Sequence, residues 1–71
     1  MTVQEIKSII KTMSNQHKIP FLMHYRGYQY GEIAKMLELP MDTIESRIFQ
    51  ARKELNLKIN QFYALRVKEM A

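Results

Sequence analysis

This chain contains no cysteine, which excludes a disulfide framework and a thiolate metal site and suits a reducing compartment such as the cytoplasm. No stretch approaches the roughly 18 consecutive apolar residues of a membrane span. Residues 1–7 lack the charged-then-apolar layout of a secretion signal, so we expect a soluble, cytoplasmic chain. Repeats, linkers and low-complexity tracts are also missing, and neither glycine nor proline occurs after Leu55. Catalytic equipment is scarce: there is no Gly-rich phosphate loop, no framed Ser-His-acid set and no carboxylate pair between apolar walls. His17 and His24 have no cysteine or aspartate nearby to complete a metal shell, so they read as surface histidines. The composition therefore argues against an enzyme and against a cofactor.

What is present is helical periodicity. The 71 residues suffice for one small domain, taken as residues 1–71, whose core is marginal unless its helices pack well. Ile33, Ala34 and Leu37 share one apolar face of a short helix over about residues 30–37, which Pro40 terminates. Ile44, Ile48, Ala51 and Leu55 then repeat at steps of four and three along a second helix starting near Asp42. Two such faces meeting at an angle form a helix-turn-helix, with its core at about residues 29–56 and double-stranded DNA as the leading partner.

Upstream, Ile6, Ile9, Ile10 and Met13 predict a first helix over residues 3–13, with Thr2 and Glu5 as a capping box. Ser14 and Asn15 offer a second cap, and Phe21, Leu22 and Tyr25 form an apolar face that ends at Gly27. Pro20 is free of cost only in a first turn, so the second helix is expected either to start near Ile19 or to be kinked. Asp42 and Glu45 suggest another capping box at the fourth helix, and Ile59, Phe62 and Leu65 carry its apolar stripe towards Lys68. The six methionines read as core fillers, with Met36 and Met41 near the turn. The fold class is all-α, four helices without a strand.

Residues 46–68 carry Arg47, Arg52, Lys53, Lys58, Arg66 and Lys68 against Glu54 alone, a concentration of positive charge where a DNA reader needs it. The motif residues run Gln29, Tyr30, Gly31, Glu32, Ile33, Ala34, then Asp42, Thr43, Ile44, Glu45, Ser46, Arg47, with Ala51 and Arg52 closing the pattern. In order and spacing they resemble region 4 of bacterial sigma factors, especially the extracytoplasmic-function (ECF) group, over about residues 12–58. The resemblance implies binding to the minus-35 promoter element while the RNA polymerase core, through its flap, holds the other side of the domain. It also implies that an anti-sigma protein can cover the region. Three positions depart from that pattern: the Leu-Pro before the second helix falls at Thr12 and Met13, the cap serine is Gln29, and the glycine before threonine is Asp42.

Ser46, Arg47, Phe49 and Gln50 are the base-reading candidates. Glutamine can pair an adenine edge, phenylalanine can touch a thymine methyl, and Arg47 reaches out from the first turns of the recognition helix. Tyr30, Lys35, Arg52 and Lys53 are the phosphate candidates, with Tyr28 beside them. Competing assignments are an Arg47 ion pair with Glu32 or Glu38, a core position for the Tyr30 ring, and partial burial of Phe49 against the second helix. Glu45 departs from the basic residue common at its position, and its carboxylate costs DNA affinity unless it accepts from a cytosine amino group. The alternative function is a stand-alone interaction module that binds polymerase, sigma or anti-sigma without reading DNA. A response-regulator type of helix-turn-helix shares Glu32-Ile33-Ala34 and Thr43-Ile44, and a membrane-surface helix over residues 52–68 is the remaining reading.

Overall fold

Thr2 begins the first element in extended conformation, and its Oγ1 accepts the Glu5 backbone N–H at 3.2 Å. The same hydroxyl donates to Glu5 Oε1 at 3.2 Å, so the expected Thr2–Glu5 pairing closes through the hydroxyl. The computed structural model describes the backbone of residues 2–70 and the side chains of residues 2–65. It contains α1 (Val3–Lys11), α2 (Asn15–Tyr25), α3 (Tyr30–Leu37) and α4 (Met41–Met70), and no strand among the described residues. The all-helical architecture is therefore as the periodicity predicts.

Of the two courses open to α2, the late start near Ile19 is not taken. The helix begins at Asn15, where Ser14 and Asn15 offer a cap, and keeps Pro20 inside it. Ser14 has the extended backbone of a cap but makes no side-chain cap bond; its carbonyl accepts the Lys18 N–H at 2.9 Å. Proline in a helix interior costs on the order of 3 kcal/mol, chiefly through the missing N–H. Here the carbonyl deprived of that donor belongs to Gln16, an exposed first-turn residue, while the Pro20 ring is fully buried. Solvent access to the carbonyl and burial of the ring offset the cost. At the other end the Gly27 N–H donates to the His24 carbonyl and the Tyr28 N–H to the Met23 carbonyl. This double closure needs a left-handed residue, and Gly27 supplies it at φ +106°.

α3 starts with Glu32 Oε1 accepting the Gln29 N–H at 3.0 Å, so glutamine at the cap is compensated from the third helical position. Its end repeats the α2 closure, with the Leu39 N–H donating to the Ala34 carbonyl at 3.0 Å. The left-handed residue is now Glu38, at φ 57°. Pro40 follows and its carbonyl accepts the Ile44 N–H at 3.2 Å, which starts α4 at Met41. The expected Asp42–Glu45 capping box is not formed, because Asp42 already lies within the helix. Its Oδ1 instead accepts the adjacent Thr43 N–H at 2.9 Å and keeps negative charge at the helix start.

All three shorter helices pack on α4. Ile33, Ile44 and Ile48 are completely buried at the crossing of α3 and α4, with Phe21, Met23, Tyr30, Ala34, Leu37 and Leu39 packed around them. Ala51 and Met13 extend the buried column. The apolar faces thus meet as the spacing required, with two corrections at their edges. Tyr25, in the last turn of α2, is 83% exposed and lies outside the core. Met36 and Met41 are exposed beside the turn rather than filling the core. α4 has 30 residues, a length of about 45 Å at 1.5 Å per residue, and it dominates the 48 Å long axis.

Candidate nucleic-acid interface

At about 100° per residue, the side of α4 opposite Ile44, Ile48 and Ala51 carries Ser46, Phe49, Gln50 and Lys53. All four are exposed. Arg47 and Arg52 fall on the two flanks of this face, Arg47 half-buried and Arg52 exposed. Burial of the three apolar residues against α2 and α3 is what turns the polar set outward.

A polar groove of about 430 Å³ runs where α2 begins beside the first half of α4. Its lining is Gln16 and His17 from α2 and Asp42, Thr43, Ser46, Arg47 and Gln50 from α4. Three of the four base-reading candidates, Ser46, Arg47 and Gln50, therefore share one depression. Phe49 lies outside it, 57% exposed, with the Lys53 ammonium 5.5 Å from its ring centre. Phe49 is not among the residues packed on the isoleucine core. Arg47 forms no ion pair with Glu32, Glu38 or any other described residue, so its guanidinium is uncommitted.

The phosphate candidates are more scattered. Lys35 is exposed on α3, and Arg52 and Lys53 are exposed on α4. The Tyr30 ring packs on the isoleucine core and lies 4.8 Å from the His24 ring at a tilt of 59°. Tyr28 is partly exposed, and its carbonyl pairs with His24 Nδ1 at 3.1 Å. His24 is thus half-buried and fixed at the α2–α3 corner, not a free surface histidine.

His17 is a second correction and a residue that sequence reasoning missed. Its Nδ1 lies 3.1 Å from Glu54 Oε2, and Glu54 Oε1 lies 3.4 Å from Lys58 Nζ. Lys58 also donates to the carbonyl and hydroxyl oxygens of Thr12, at 3.1 and 2.8 Å. The His17 hydrogen bond holds the Glu54 carboxyl below its ordinary value, with Lys58 adding to the effect and partial desolvation opposing it. No local pattern joins these residues; only the beginning of α2 at Asn15 brings Gln16 and His17 beside α4.

A short helix, a left-handed turn and a longer helix with an outward polar face define a helix-turn-helix domain of the nucleic-acid-binding class. The chain matches the family described as Sigma-70, region 4, over residues 3–55, and it belongs to that family. The match takes in α1 as well as the motif and stops at Leu55, ahead of the far half of α4. No curated protein and no solved structure matches the chain significantly. Membership makes this a domain of DNA binding and polymerase contact in transcription initiation. Among the described residues no helix is long and apolar enough to cross a membrane.

Proposed function

We propose that the chain, as a single domain over residues 1–71, reads the minus-35 element of promoters of the ECF type, with α4 lying in the major groove. Ser46, Arg47 and Gln50 meet base edges from the groove, and Phe49 meets a thymine methyl from the adjoining surface. Lys35, Arg52 and Lys53 lie on phosphates and fix the register, and Tyr30 reaches a phosphate only through its hydroxyl. The observation that carries this reading is the uncommitted Arg47 guanidinium in one groove with Ser46 and Gln50. Glu45, exposed on α4, selects for a cytosine amino group or against other bases.

The polymerase core, through its flap, is assigned to the opposite side. There an apolar depression of about 330 Å³ includes Val3, Ile10, Phe21, Leu22 and Tyr25. One such module makes few phosphate contacts, so affinity for DNA alone is micromolar or weaker and falls with salt. No catalytic step and no cofactor enter this function, and the cytoplasm, where polymerase works, is its place.

Selection from a library of labelled duplexes at low and moderate salt, with Arg47→Ala beside the unaltered domain, tests the proposal. Enrichment of a short motif that the variant fails to enrich supports it. Binding that ignores both sequence and Arg47 refutes it. A second reading, an interaction module for polymerase, sigma or an anti-sigma protein, is favoured by the carboxylates of Asp42 and Glu45 on the α4 side presented to DNA. Capture of polymerase subunits without a shift of any duplex at low salt selects that reading.

A further inference from the structure

The groove that holds Arg47 has a wall that does not belong to the helix-turn-helix. That wall is the first turn of α2, and His17 is its titratable member. A carboxylate only accepts hydrogen bonds, so the 3.1 Å contact to Glu54 requires the proton on Nδ1 of His17. Nε2 has no partner among the described residues. In the neutral ring it is a bare acceptor, which opposes a phosphate oxygen; in the imidazolium it is a charged donor, which attracts one.

We infer that His17 is a further, proton-dependent contact to the DNA backbone, anchored through Nδ1 by Glu54 and donating Nε2–H to a phosphate in the α2–α4 groove. The inference rests on the DNA-binding reading of that groove. Because the Nε2 contact needs the doubly protonated ring, DNA binding and protonation of His17 are linked, and affinity rises as pH falls.

The charged surroundings are compatible with this role. From α4, Glu54 bonds the ring directly, Lys58 lies on the far oxygen of Glu54, and Arg47 and Asp42 line the same groove with opposite charges. On α2 itself Lys18 follows in sequence, and Gln16, the other wall residue, is neutral. α1 reaches the network only through neutral Thr12, and α3 contributes nothing to the groove lining. His24, the other histidine, faces the Tyr28 carbonyl and the Tyr30 ring, which makes it the internal control.

The test is a set of anisotropy titrations of one selected duplex at constant ionic strength, from about pH 8 to about pH 6. The proteins are the unaltered domain, His17→Gln, His17→Lys and His24→Gln, with a thermal melt of each at each pH to confirm folding. The unaltered domain should tighten about three- to tenfold more than His17→Gln over that range, within the limit of one proton taken up. His17→Lys should bind at every pH about as tightly as the unaltered domain does at the acidic end, and His24→Gln should keep the original pH dependence. A His17→Gln protein with the pH dependence of the unaltered domain overturns the inference and leaves promoter reading standing. A domain that binds no duplex at any pH or salt overturns both.

Discussion

His17 Nδ1 and Glu54 Oε2 meet at 3.1 Å across 37 positions of sequence, and Lys58 continues the contact from Glu54 to Thr12 at the end of α1. One chain of polar contacts thus joins α2, α4 and α1.

Acid should loosen this junction. The Glu54 carboxyl is held below its ordinary value of 4.5, first by the His17 hydrogen bond and then by Lys58. A depressed folded-state value means that the contribution is complete above the unfolded value and is lost as pH falls through the folded one. Circular-dichroism melts from about pH 6 to about pH 3 should show the unaltered domain losing more midpoint temperature than Glu54→Gln. Parallel loss in both proteins would show that Glu54 carries none of the acid sensitivity.

Arg47 and Lys35 should fail differently as DNA ligands. Arg47→Ala is expected to cost about 1–3 kcal/mol and to relax preference at one position of the site. Lys35→Ala should weaken all duplexes alike and reduce the dependence of log K on log salt by about one. Neither change should move stability by more than about 0.5 kcal/mol, because neither side chain has a hydrogen bond or ion pair among the described residues. Competition binding against single-base variants of the site, at two salt concentrations, separates the two behaviours.

Glu38 occupies the left-handed position closing α3, at φ 57° and ψ 46°. A side chain there costs about 1–2 kcal/mol that glycine avoids, against glycine's greater unfolded-state entropy. Glu38→Gly should therefore stabilise the domain by about 0.5–1 kcal/mol without altering the turn, as read by urea denaturation. A destabilised variant would mean that Glu38 holds the turn by a contact of its side chain.

Ile48 is completely buried between α3 and α4. Ile48→Ala should cost about 2–5 kcal/mol from lost transfer energy and the cavity left behind. In a domain this small, that is enough to populate the unfolded state at room temperature. Far-UV circular dichroism of the variant, with and without duplex, would show reduced helicity, and a native melt would contradict the placement of the core.

Much of the fold was legible because its causes are local. Thr2 before Glu5 and Gly27 after an apolar face act through bonds spanning three to five residues, which the sequence displays directly. The steps of four and three from Ile44 to Ala51 likewise identified the buried line of α4, and through it the exposed side that carries Ser46, Phe49 and Gln50. Family membership followed from the same short-range pattern.

The local rules left the start of α2 open between Asn15 and Ile19, because they assign Pro20 a cost and take no account of its burial. They also set Tyr25 among the apolar face residues, although it is 83% exposed, and left Arg47 a choice of ion-pair partners that it does not take among the described residues. The sequence by itself therefore determined the four helices, the turn between α3 and α4, and the inward and outward faces of the recognition helix, since each is an arrangement of near neighbours. Only the tertiary structure decided that Gln16 and His17 wall the groove of Arg47 and that Glu54 holds His17. Those pairings depend on the angle and offset at which α2 crosses α4, which side chains from every part of the core set jointly and no short segment encodes.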